Sequence, residues 1–181
     1  MQFYEKSHTI EVMLTEAQIA DRIKALGEQI TNDYRDRGAL VLAGVLRGSF
    51  MFIADLVRSI DLPLEVDFIG VSSYGESQTS SGVVRLTQDL TRPIEDKHLL
   101  LVEDIVDTGL TIDYLMANLS TRRPASIKVC SLLHKPENKK IEVPLDYVGF
   151  EIENKFVVGY GLDHANKLRN LPFIGVVTGT P

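Results

Sequence analysis

Cysteine is nearly absent from this chain: Cys130 stands alone among 181 residues, inside the apolar run 127–133. No internal disulfide can form, and a reducing, cytoplasmic setting is the natural expectation. Cys130 itself reads as a small buried hydrophobe rather than a reactive thiol. Long hydrophobic runs are also missing. None approaches the ~20 residues a transmembrane helix needs, and residues 1–10 lack the apolar core of a signal peptide, so a soluble protein without a membrane partner is expected. Positive charge is not in excess. A formal net charge of −6 exerts no global attraction on a nucleic-acid backbone, so no nucleic-acid partner is expected. No internal repeat of solenoid length occurs. What is present, 44% hydrophobic residues against 24% charged, excludes disorder and fits one domain with a real core.

The most informative stretch is 99–111, Leu-Leu-Leu-Val-Glu-Asp-Ile-Val-Asp-Thr-Gly-Leu-Thr. Leu99, Leu100, Leu101 and Val102 have the continuity of a strand buried on both faces, the type found in parallel sheets. Beyond them stand Glu103, Asp104 and Asp107, and then Thr108, Gly109 and Thr111 lead into an amphipathic segment, 112–119, that reads as helix. The acids suit sugar hydroxyls or metal. The free backbone N–H groups of a helix start suit a phosphate.

Upstream, Thr15 and Gln18 form a capping-box pattern, and Ile19, Ile23, Leu26, Ile30 and Tyr34 recur at helical spacing, predicting a helix that ends near Gly38. Residues 39–46 read as a buried strand, followed by Arg47, Gly48 and Ser49 and a second helix. Such a turn can offer N–H groups and a guanidinium to a phosphate, although Gly48 could equally serve only a tight turn and Arg47 stay solvated. Residues 64–74 and 83–86 read as antiparallel strands joined by a long, polar, mobile connection, 75–82. Further strands are expected at 126–133, 146–152, 156–160 and 173–177, and Asp163 reads on its own as the N-cap of a helix over 164–171.

Strands alternating with helices predict an α/β fold whose largely parallel, twisted sheet is flanked by helices. Ligands bind beyond the carboxyl ends of such strands, which puts Arg47, Gly48, the 103–111 loop, Lys135 and Asp163 on one rim.

Val102-Glu-Asp-Ile-Val-Asp-Thr-Gly109 with Thr111 resembles the signature of the type I phosphoribosyltransferases, which bind 5-phosphoribosyl 1-pyrophosphate. Leu46-Arg47-Gly48, Ser73-Tyr74, residues 131–135, 148–152, 155–160 and Leu162-Asp163 extend the likeness across almost the whole chain. In that order they resemble the hypoxanthine(-guanine) phosphoribosyltransferases, the short bacterial ones in particular. The resemblance implies one domain over 1–181, with a core at about 39–135, a hood at about 1–12 and 146–181, and a flexible loop at about 73–82.

It further implies purine salvage: transfer of the phosphoribosyl group to N9 of hypoxanthine, or guanine, with Mg²⁺, giving the nucleoside monophosphate and pyrophosphate. Glu103 and Asp104 would take the ribose hydroxyls, and Asp107, Thr108, Gly109 and Thr111 the 5′-phosphate. Asp107 would also exchange the purine N7 proton; the lesser alternative is a helix N-cap. Arg47, Gly48, Arg169 and Tyr74 would hold pyrophosphate, with the Leu46-Arg47 peptide strained or cis. Asp163 and Glu103 would serve the metal. Lys135, Phe156, Val157 and Asp163 would form the purine pocket. The family's habit is a homodimer or homotetramer. His134 is assigned no role.

Two other readings share these features. A pyrimidine-operon attenuation regulator on the same fold would bind RNA, which the net charge opposes. A receiver domain would carry its acid pair after the first strand, not in mid-chain.

Overall fold

A computed structural model of the chain describes residues 9–73 and 84–178. The expected mobile connection and Tyr74 lie outside the described residues, as does most of the expected N-terminal hood segment. The elements in chain order are β1 (Thr9–Leu14), α1 (Glu16–Tyr34), β2 (Leu40–Leu46), α2 (Phe50–Ser59), β3 (Leu64–Ser73), β4 (Val84–Gln88), β5 (His98–Val106), α3 (Leu110–Ser120), β6 (Ser126–His134), β7 (Tyr147–Glu151), β8 (Val157–Val158) and β9 (Ile174–Thr178).

Six strands form the main sheet in the order β4-β3-β2-β5-β6-β7. The β2, β3, β5, β6 and β7 pairings are parallel, and β4 runs antiparallel to β3. Alternation along β5 explains why this sheet is covered on both sides. Leu100 and Val102 pack with Ile19, Ile23 and Leu26 of α1 and Phe52, Ile53 and Leu56 of α2. Leu99 and Leu101 pack with Ile112, Leu115 and Leu119 of α3. Each such side chain, fully withdrawn from water, contributes about 1.5–3 kcal/mol before the entropy of ordering it is charged against it. Cys130 belongs to the first cluster, and burial pushes its thiol up, which suits an inert core residue.

Helix α1 begins on the expected capping box, with Thr15 as N-cap and Gln18 returning the bond to the Thr15 N–H at 2.9 Å. It ends at Tyr34 rather than near Gly38. Arg22 on this helix donates to the carbonyls of Gly149 at 2.8 Å and Val148 at 2.6 Å, covering the open edge of β7.

A second, antiparallel sheet of order β1-β9-β8 makes the hood. Three expectations are corrected here. Residues 9–14, for which the sequence predicts no element, form a strand because β9 supplies its partner. The 146–181 hood starts later, since β7 pairs with β6 in the main sheet. Residues 164–171 are not a helix: Ala165, Asn166 and Leu168 have φ of 49°, 61° and 73°, which right-handed helix forbids. No helix among the described residues is long and apolar enough to cross a membrane.

Candidate active site

Parallel pairing brings the carboxyl ends of β2, β5 and β6 to one rim, and each is followed at once by a predicted site residue: Arg47, Asp107 and Lys135. After β2, the Leu46–Arg47 peptide is cis, as the resemblance implied. Arg47 is exposed. Ser49, a residue sequence reasoning passed over, is fully buried and its hydroxyl donates to the Val45 carbonyl at 2.6 Å, tying the turn to the strand. Gly48 is needed for space. A Cβ at this position would run into the Asp104 carboxylate, and the Gly48 carbonyl in turn blocks a Cβ at Gly161 of the hood. Three separate segments therefore meet around Gly48.

Strand β5 continues through the acids instead of stopping before them, with Glu103 opposite Ser131 and Val106 opposite His134. Glu103 is consequently buried, 8% exposed, and its Oε2 has no hydrogen-bond partner among the described residues. Burial, and then the charge of Asp104 beside it, push the Glu103 carboxyl well above the usual carboxylate range. Burial also raises Asp104, against the opposing pull of hydrogen bonds and of the Arg169 guanidinium. A buried acid beside a half-buried one is poised to receive cationic or hydroxyl partners.

Gly109 is the N-cap of α3, with φ 84°. A non-glycine residue here would be strained in backbone and would strike the Ile141 carbonyl. The same 140–141 segment donates two backbone N–H groups to the Thr108 carbonyl, at 3.0 and 3.1 Å, so the loop is braced from outside. No side chain caps α3, which leaves its first N–H groups, at Leu110, Thr111 and Ile112, suited to an anion. Asp107 is not the N-cap. Its Oδ1 is buried without a partner among the described residues.

Lys135 is 8% exposed, its N–H donates to Val106 at 2.9 Å, and it forms no salt bridge among the described residues. From the hood come Val157, buried and paired with Val176, and Phe156, 54% exposed, with its ring edge-on to His164 at 5.4 Å between centroids. Asp163 is ion-paired to Arg169 at 2.6 Å and accepts the Asn166 N–H at 2.8 Å in a tight turn. Arg169 also donates to the Gly161 carbonyl at 2.7 Å. Gly161, like Ser49, was not singled out from the sequence; only its place just before Leu162-Asp163 hinted at it. Larger concavities, of about 450 and 600 Å³, are lined by other residues and hold no comparable acid cluster.

A family model for the phosphoribosyl transferase domain matches residues 12–165. The chain is 49% identical over 174 residues to a hypoxanthine phosphoribosyltransferase of Haemophilus influenzae, covering 95% of this chain and 97% of that one. It is 50% identical over 168 residues to a hypoxanthine-guanine phosphoribosyltransferase of Dictyostelium discoideum, covering 91% and 93%. Among solved structures, a Trypanosoma cruzi hypoxanthine phosphoribosyl transferase, studied for its C-terminal region, oligomeric state and activity, superposes with a TM-score of 0.89 at 44% identity, covering 97% and 94%.

Proposed function

The chain belongs to the phosphoribosyl transferase family, and from that premise we propose that it salvages purines, joining hypoxanthine or guanine to the phosphoribosyl group of 5-phosphoribosyl 1-pyrophosphate. The observation that carries this reading is the junction at Gly48, where Asp104 of the Glu103–Asp104 pair, the β2 turn and the hood segment that holds the Asp163–Arg169 pair meet.

In this mechanism N9 of the purine forms a bond to ribose C1′ as the C1′–O bond to pyrophosphate breaks. The backbone N–H groups of Thr108 to Thr111, with the threonine hydroxyls, hold the 5′-phosphate. Helix α3 adds roughly half a positive charge there. Glu103 and Asp104 accept the 2′- and 3′-hydroxyls and face the positive charge that grows on the ribose ring. Asp107 holds the proton at purine N7. Lys135 donates to the 6-oxo oxygen, Phe156 stacks on the ring, and the Val157 and Asp163 backbone reads the remaining edge. Arg47, Gly48 and Arg169 take the leaving group.

The donor set around the rim is all oxygen, with a buried, unpartnered Glu103 Oε2 and an Asp163 carboxylate near Arg169, which fits a hard cation that keeps most of its waters. Asp163 and Glu103 would hold Mg²⁺, and the ion when bound offsets pyrophosphate charge. We read 1–181 as one working unit of core and hood, assembling as a homodimer or homotetramer.

The test is to incubate the protein with Mg²⁺, the ribosyl donor and each of hypoxanthine, guanine, xanthine and adenine in turn. Nucleotide is expected with hypoxanthine or guanine and none with adenine. No product with any base overturns the reading.

A further inference from the structure

Beside the base site lies a separate cavity of about 250 Å³, lined by Asp107, His134, Lys139, Glu142, Val143 and Glu151 among others. It shares Asp107 and Gly109 with the site above, but His134, Lys139, Glu142 and Glu151 are given no role there. Its position is set by the parallel register, which aligns Val106 with His134 and His134 with Glu151 across three strands. Asp107 follows Val106 directly. His134 is 17% exposed in its side chain and Glu151 70%, with Nδ1 of the imidazole 3.6 Å from the Glu151 carboxylate. A series of side chains therefore runs from half-buried Asp107, through a mostly buried imidazole, to an acid in solvent.

Transfer to a neutral purine releases one proton. The N9 lone pair becomes the new bond to C1′, the electron pair of the broken bond leaves on pyrophosphate, and the base must lose an N–H proton. If Asp107 takes that proton it becomes a neutral acid that cannot serve the next turnover. Asp107 Oδ1 is buried and has no partner among the described residues to receive it. The cavity is lined by polar and apolar side chains alike and is large enough for several waters.

We propose that His134 is the proton relay of this enzyme: cavity water carries the proton from Asp107 to the imidazole, which releases it from its other nitrogen toward Glu151 and solvent. This rests on the transferase reading and on Asp107 as its base. The imidazole is suited because its two ring nitrogens let it take a proton on one side and give it up on the other. The charged groups around it are Asp107 after β5, Glu151 on β7, the Lys139–Glu142 ion pair of the covering segment and its chain neighbour Lys135. His134 touches no substrate in this scheme and acts through Asp107.

The test compares the parent with His134→Gln in single-turnover and steady-state nucleotide formation between about pH 5.5 and 8.5. His134→Gln is expected to lower kcat by about ten-fold or more while leaving the KM for both substrates within about two-fold. The pH profile of its rate should differ from the parent's, and added free imidazole should restore the rate. Glu151→Gln, at an exposed side chain that the fold does not need, should move the acid limb of the profile without abolishing turnover. A His134→Gln enzyme with the parent's rate and pH profile overturns the relay and leaves the transferase intact. A slow His134→Gln enzyme whose pH profile is unchanged and which imidazole does not rescue also overturns it, because the residue is then only structural. A parent that makes no nucleotide overturns both.

Discussion

Arg169 holds the Asp163 carboxylate at 2.6 Å while a second nitrogen of the same guanidinium donates to the Gly161 carbonyl. These two residues neutralise each other. On the proposed function, binding of pyrophosphate and its cation would replace one internal ion pair by two external ones. Asp163→Asn is therefore expected to raise the Mg²⁺ concentration for half-maximal rate by about ten-fold or more. The pair is partly exposed, so folding stability should change by about 1 kcal/mol or less. Metal titration of the rate, with thermal unfolding alongside, checks both.

Asp107→Asn keeps the shape of the loop and removes the proton acceptor. Turnover is expected to fall by at least ~100-fold, the usual scale of general acid–base work, while the ribosyl donor still binds. Stopped-flow turnover and calorimetric donor binding separate the two. Unchanged turnover would remove Asp107, and with it the relay through His134, from the mechanism.

Burial and the Asp104 charge hold the Glu103 carboxyl well above its ordinary range. A raised folded-state value means that the native protein keeps a proton the unfolded chain gives up. The contribution to stability is fully present below the unfolded value of about 4.3 and is lost as pH rises through the folded value. Above that, a buried, unpaired carboxylate costs stability. In EDTA and without substrates, Glu103→Gln is expected to melt a few degrees higher than the parent at pH 8, roughly 1 kcal/mol or more, with the gap closing toward pH 4. Its donor affinity should fall, the usual exchange of stability against function.

Phe156 is more than half exposed, so the core does not depend on its ring. Phe156→Ala should leave the melting temperature nearly unchanged and weaken purine binding by about 1–3 kcal/mol, roughly 5- to 150-fold in KM for the base. The KM for the ribosyl donor should stay put.

Much of this was legible in the sequence where burial is continuous. β2, β5 and β6 read as strands because both of their faces are covered, and Thr15 with Gln18 marked the start of α1. β1 was not legible, since half of its residues are exposed and its pairing lies with β9 at the far end of the chain. Residues 164–171 looked helical, but Arg169 folds back on Asp163 and Gly161, and three positive φ values take the chain out of helix. At the site, the acids and the phosphate loop are one contiguous motif. The Gly48 junction is not, because its three segments are brought together only by the fold.

The most direct measurement is a count of both products from one reaction, with hypoxanthine, the ribosyl donor and Mg²⁺, nucleotide and pyrophosphate each quantified over time. Equal amounts of the two, with almost no pyrophosphate when the base is left out, are expected of a transferase whose acids, phosphate loop and base pocket work together. Pyrophosphate released without nucleotide, or neither product formed, would contradict it.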